Sequence, residues 1–144
     1  MESGPTDTVV VRKLLPARKE RVFKAWTDPS QVKRWWKIGE GWKTLSVDMD
    51  LRVGGRFSLE NETAEGNNLV ISGEFLKVQP PDRLVYTWRF PAPVPVDTLV
   101  TVEFRERGDG TEVVVRHEHT GQEMGPSAIA GWTMALSELA SLLS

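Results

Sequence analysis

Pro81-Asp82-Arg83-Leu84-Val85-Tyr86-Thr87-Trp88-Arg89-Phe90, Thr98-Leu99-Val100-Thr101-Val102-Glu103-Phe104 and Gly108-Asp109-Gly110-Thr111-Glu112-Val113-Val114-Val115-Arg116-His117-Glu118-His119 are three runs of period two. They lead into Gly131-Trp132-Thr133-Met134-Ala135-Leu136-Ser137-Glu138-Leu139-Ala140-Ser141-Leu142-Leu143. Alternation puts Leu84, Tyr86, Trp88 and Phe90 on one strand face, Val100, Val102 and Phe104 on the next, and Val113, Val115, His117 and His119 on the last. Asp109-Gly110 is a hairpin signal. In the final segment Ile129, Trp132, Leu136, Leu139 and Leu143 recur at helical spacing as one stripe. Gly125-Pro126 reads as the start of that helix. The stripe has nothing to bury itself against except the sheet that precedes it. A curved antiparallel sheet gripping a terminal helix encloses space, so these residues point to a cavity protein.

Working outward, Thr8 to Leu14 reads as a first strand stopped by Pro16. Val22, Phe23 and Trp26 share a helical face. Asp28-Pro29 opens a second helix, with Asp28 as N-cap and Pro29 in the first turn. Trp35 and Trp36 lie about 100° apart on that helix, so one of them is expected to sit at a cavity mouth. Leu45, Val47 and Met49 alternate with polar residues, Gly54-Gly55 turns the chain, and Phe57 and Leu59 return it. Asn61 to Asn68 reads as a polar loop. Residues 69–78 form a strand, in which Gly73 implies a bend or a close approach. Pro80-Pro81-Asp82 is a turn, and Pro91, Pro93 and Pro95 stiffen a loop. The order is strand, two helices, six strands, helix, which defines an α+β class with about seven strands.

The 144 residues suit one domain, 1–144, with 1–7 read as a flexible N-terminus. With no cysteine, disulfides, thiolate metal ligands and a cysteine nucleophile are excluded. No signal peptide and no membrane span is visible, so a cytoplasmic location is expected. The net charge of −2 does not suggest nucleic acid as a partner. Residues 12–43 nevertheless carry +7 and the remainder −9. Such a basic stretch serves either as the solvated face of two helices or as a rim for an anionic ligand or acidic partner.

The chain resembles the helix-grip superfamily of START-like lipid-transfer domains and the birch-pollen allergen. Within it, the resemblance is to bacterial homologues of the heat-shock-chaperone ATPase activator. It is carried by Ala25-Trp26-Thr27-Asp28-Pro29, Asp50-Leu51-Arg52-Val53-Gly54-Gly55-Arg56-Phe57, Gly73-Glu74-Phe75, Pro80 through Trp88, Thr98 through Val102, Gly110-Thr111-Glu112 and Gly131-Trp132. Val53 departs from the Pro found there in many relatives, at a turn rather than at a site of chemistry. The resemblance implies a helix-grip fold with a cavity between the sheet and the long helix.

His117 and His119 form the only histidine pair, and one strand face would suit a metal. Satisfied strand histidines are the favoured reading, and no metal, no cofactor and no catalytic residue is expected. The cavity is expected to be lined by Phe57, Trp88, Val102, Phe104, His117 and Trp132, with Trp35 or Trp36 at its entrance. The six tryptophans fit either plain core or an aromatic cavity wall. The leading functional expectation is a binding module for a small hydrophobic or amphipathic molecule. The alternative is a protein-interaction module, such as a chaperone or stress-response accessory. A third is an enzyme using His117 as acid/base. Monomer and homodimer remain equally open.

Overall fold

The computed structural model describes residues 8–37, 39–90, 96–119 and 121–144. The expected flexible stretch 1–7 and the proline loop 91–95 lie outside the described residues. Strand β1 (Thr8–Leu15) is followed by helices α1 (Lys19–Thr27) and α2 (Pro29–Trp35). Six strands follow: β2 (Lys43–Met49), β3 (Arg56–Glu62), β4 (Asn68–Gln79), β5 (Arg83–Phe90), β6 (Val96–Arg107) and β7 (Gly110–Glu118). Helix α3 (Gly121–Leu143) completes the chain. The strands form one antiparallel sheet in the order β1-β7-β6-β5-β4-β3-β2.

β1 and β2 therefore occupy opposite edges, and α1 and α2 carry the chain across the inner face between them. Each helix buries one side. α1 buries Val22, Phe23, Ala25 and Trp26, and α2 buries Val32 and Trp35. Asp28 caps α2 as expected, its carboxylate accepting from Ser30 N at 3.0 Å, with Pro29 following it.

The inner rows of the sheet come directly from the alternation. Val11 pairs with Val115, Val115 with Val102, and Val102 with Leu84. The next row runs Val9, His117, Val100, Tyr86, Phe75. All of these are buried. α3 packs Trp132, Ala135, Leu136, Leu139 and Leu143 into the same core.

Five local expectations change. A register shift between Thr44 and Ser46 breaks the alternation in β2, so Leu45 turns outward and is exposed. Asn61 is not in a loop: it belongs to β3 and is 1% exposed. Its amide donates to the carbonyls of Leu59 (3.0 Å) and Leu69 (3.2 Å), which lets a polar side chain stay inside. α3 begins at Gly121, before Gly125-Pro126. Ile129 is exposed, and Ala128, four residues before Trp132, takes the inward place in the stripe. His119 does not share the His117 face. The strand ends at Glu118, and His119, at φ 67°, is exposed.

Gly73 behaves as expected. A Cβ there would lie 1.9 Å from the Thr87 carbonyl and 2.6 Å from the Phe57 ring, so only glycine allows these strands and that ring to approach.

Candidate functional site: an aromatic cavity under the helical crossover

Trp35 and Trp36 depart from the expectation that their angular offset keeps one of the two from being buried. Both are buried, at 1% and 5% exposure. The reason is backbone geometry. α2 stops at Trp35, and Trp36 takes extended angles (φ −69°, ψ 117°). The helical angular offset therefore no longer applies, and the second indole swings inward beside the first. Thr44 Oγ1 donates to the Trp36 carbonyl at 2.7 Å, which pins this turn to β2.

The rings form one continuous cluster. Trp36 lies 5.4 Å from both Trp88 and Trp132, and Trp26 stacks on Trp132 at 6.1 Å with 13° between planes. Phe57 meets Tyr86 at 5.2 Å, edge to face. Each such pair adds about 0.5–1.5 kcal/mol beyond area burial. Trp42 lies apart, half-buried over Gly39.

Within this cluster is a cavity of about 30 Å³. The crossover contributes Trp26, Val32, Trp35 and Trp36 to its wall. The sheet contributes Met49, Phe57, Leu59, Phe75, Tyr86 and Trp88 from β2 to β5. The space, partly open to solvent, thus lies toward α2 rather than α3. Of the eight residues expected from the sequence, Trp35, Trp36, Phe57 and Trp88 line it. Val102, Phe104, His117 and Trp132 lie in the packed core alongside, where Phe104 fits against Phe23 (5.4 Å) and Trp26 (5.7 Å). Sequence reasoning missed Tyr86 and Phe75 as wall residues, although alternation already placed Tyr86 on the same face as Trp88.

His117 is committed internally. Trp132 Nε1 donates to its Nδ1 at 3.1 Å, and its Nε2 lies 2.7 Å from Thr98 Oγ1. An indole only donates, so Nδ1 accepts, and the neutral ring carries its proton on Nε2. That proton goes to Thr98 Oγ1, whose own hydrogen goes to the Trp88 carbonyl at 2.9 Å. Burial lowers the His117 pKa to about 4, so the ring is neutral at physiological pH. Both ring nitrogens are taken, which leaves no position from which His117 faces a substrate. Among the described residues no group of three His, Asp or Glu side chains is placed to hold a metal.

The cavity wall carries no charged side chain. Burial pushes the Tyr86 hydroxyl pKa upward, only partly offset by the hydrogen bond it accepts from Trp26 Nε1 at 3.4 Å. The indoles differ in their partners. Trp35 Nε1 donates to the Ala25 carbonyl at 2.9 Å, whereas the buried Trp36 Nε1 has no acceptor among the described residues.

A seven-stranded antiparallel sheet, spanned by a two-helix crossover and packed against a long C-terminal helix, defines a helix-grip protein. The chain belongs to the family described as Activator of Hsp90 ATPase homolog 1-like protein, whose profile matches residues 16–144. Solved structures from bacteria share the fold. Protein CV1439 from Chromobacterium violaceum is 27% identical, with a TM-score of 0.84 over 95% of this chain and 96% of that one. CalU16 from Micromonospora echinospora is 31% identical, with a TM-score of 0.75 over 95% of this chain and 76% of its own. The AHSA1-like protein from Aeromonas hydrophila is 25% identical, with a TM-score of 0.78 over 93% and 90%. No protein with a curated description matches the chain. Among the described residues no helix is long and apolar enough to cross a membrane.

Proposed function

We infer that this protein binds a small hydrophobic or amphipathic molecule in the cavity between the α1–α2 crossover and strands β2 to β5. The observation that supports this reading is an aromatic-walled space with no charged side chain in its wall and with Tyr86, a hydroxyl-bearing residue, among its lining. Mostly apolar walls with few polar anchors are the usual make-up of small-molecule sites. The pocket's volume of about 30 Å³ admits a water-sized group. A larger ligand therefore enters by displacing a wall residue. Met49 suits this role, since it is half-buried at the cavity margin and its thioether chain has three rotatable bonds.

Native mass spectrometry of freshly purified protein tests the reading. The expected result is one co-purifying small molecule per chain, lost in Met49→Trp, where the indole plugs the margin. A bare wild-type chain that also takes up no apolar compound on incubation would refute it.

One observation favours a second reading, a protein-interaction module. Leu51, Val53 and Leu76 are exposed, and Val53 is 67% accessible. The loop carrying the first two is tied to β4 by Gly54 N donating to the Phe75 carbonyl at 2.8 Å. If this surface docks a protein, Val53→Asp weakens that contact and leaves cavity binding unchanged.

A further inference from the structure

The outer face of the sheet, turned away from the aromatic cluster, carries a separate hollow of about 250 Å³. Strand alternation builds it. Val11, Val115, Val102 and Leu84 point into the core, so their chain neighbours Arg12, Arg116, Thr101 and Arg83 point outward. Thr101 stands opposite Arg116 across β6 and β7, and Glu103 stands opposite Arg83 across β5 and β6. Arg12 of β1 pairs with Val114, which makes it a diagonal neighbour of Arg116. All of these residues line the hollow.

The charge there is unbalanced. Four arginines and two glutamates line the hollow, which leaves it at +2. Glu103 is already held by Arg105, two residues further along the same strand face. The guanidinium groups of Arg12, Arg83 and Arg116 have no carboxylate and no hydrogen-bond acceptor among the described residues, and Glu118 pairs with none of them. Diagonal neighbours on a sheet have Cβ atoms about 7–8 Å apart, so Arg12 and Arg116 repel each other unless an anion lies between them. Arg83 is half-buried, so its charge is partly desolvated with no counter-ion to offset the cost.

Guanidinium forks match oxyanions through paired N–H···O bonds. A phosphate group carries about −1.5 to −2 at neutral pH and three acceptor oxygens, enough to balance this wall and to engage more than one fork. A carboxylate brings one charge and two oxygens. The volume is below the roughly 300–1,000 Å³ of drug-sized pockets, so any substituent on the phosphate is small. We propose that this hollow binds a phosphate group, as the free ion or a small monoester, with Arg12, Arg83 and Arg116 as its charged donors and the Thr101 hydroxyl as a further one. The site lies on the opposite face of the sheet from the aromatic cavity and is independent of the reading given above.

Inorganic phosphate, glycerol 3-phosphate and acetate are titrated at neutral pH and low ionic strength into the full chain, labelled with nitrogen-15. A phosphate Kd of about 1 mM or tighter is expected, with movement of the Thr101, Glu103, Val114 and Arg116 amides. Acetate should bind about ten-fold more weakly. Arg12→Gln and Arg116→Gln should each weaken phosphate binding about ten-fold. Both arginines are exposed, so both variants are expected to fold. Glu118→Gln removes a negative charge from the wall and should tighten binding, which keeps the test open should either arginine variant fail. Lys33→Gln makes the same charge change as Arg116→Gln on an exposed face of α2 outside the hollow, and should leave the affinity unchanged.

Tighter binding of glycerol 3-phosphate than of inorganic phosphate supports the site with a monoester as its source, and the reverse order supports it with the free ion. Unmoved amides at about 10 mM phosphate, ten times the expected Kd, overturn the proposal. Equal weakening by Lys33→Gln and Arg116→Gln overturns it too, because binding would then follow net charge alone. Acetate binding as tightly as phosphate overturns the ligand class, and an unchanged affinity in Glu118→Gln overturns the placement of the anion in this hollow.

Discussion

Trp132 Nε1 donates to His117 Nδ1 across 3.1 Å, joining the middle of α3 to the inner face of β7. Both residues are almost fully buried, at 3% and 2% exposure. The bond sets the tautomer of the histidine, and through Thr98 it reaches the backbone of β5. One side chain from the helix thus helps to align three strands.

Trp132→Ala should destabilise the protein by about 3–5 kcal/mol, the usual cost of removing a buried Trp side chain. Trp132→Phe retains much of the ring but leaves His117 Nδ1 unpaired, at about 1–3 kcal/mol. Urea unfolding measures both. A Trp132→Ala cost below about 1 kcal/mol would show that the sheet does not grip α3 at this point.

Stability should fall in mild acid through His117. Its pKa drops from 6.5 to about 4 on folding, because burial disfavours the charged ring. Between those values the unfolded chain binds a proton that the folded chain does not. This contribution is complete above the unfolded value and declines as pH falls toward the folded one, by on the order of 3 kcal/mol in total. Protonation also gives Nδ1 a hydrogen that faces the Trp132 N–H. The check is to compare unfolding free energies of wild type and His117→Gln across this window. Parallel curves for the two proteins would contradict the assignment.

Gly73→Ala and Gly54→Ala separate two different reasons for glycine. At Gly73 the added carbon meets a backbone oxygen that cannot yield, so a loss of about 3 kcal/mol is expected. Gly54 sits at φ +86° with open space around it, so only the backbone strain of about 1 kcal/mol applies. Thermal unfolding that ranks the two in the opposite order would count against the close strand approach.

Asn61→Asp tests the buried amide. The substitution removes the donor to two carbonyls and places an acid at a site that is 1% exposed. A loss of about 3 kcal/mol at neutral pH is expected, shrinking as pH falls and the acid is protonated, because the raised folded pKa makes the charged form the costly one. A loss that does not vary with pH would mean that the side chain turns out to water.

Much of the sheet was legible in the sequence because a strand with one buried face writes its orientation in alternation. Val100, Val102 and Phe104 show this, as do Leu84, Tyr86 and Trp88. The Asp28-Pro29 cap was legible because capping is local. Leu45 and Asn61 were not. A bulge turns a side chain off its expected face without a distinctive residue to announce it, and the buried amide depends in part on a carbonyl supplied by a neighbouring strand.

The candidate site divides along the same line. Residue spacing is enough for the order of elements, the inward rows of β5 to β7, the helical stripe from Trp132 to Leu143, and the wealth of indoles that any cavity here would use. Those features depend on spacing within a few residues. Only long-range packing makes Trp36 leave its helix and turn inward, sets His117 against Trp132 of α3 and Phe104 against α1, and leaves the open space under α2 against Phe57, Phe75 and Tyr86. Whether a buried row is filled or hollow depends on side-chain volumes arriving from elements far apart in the chain, and no local pattern encodes that sum.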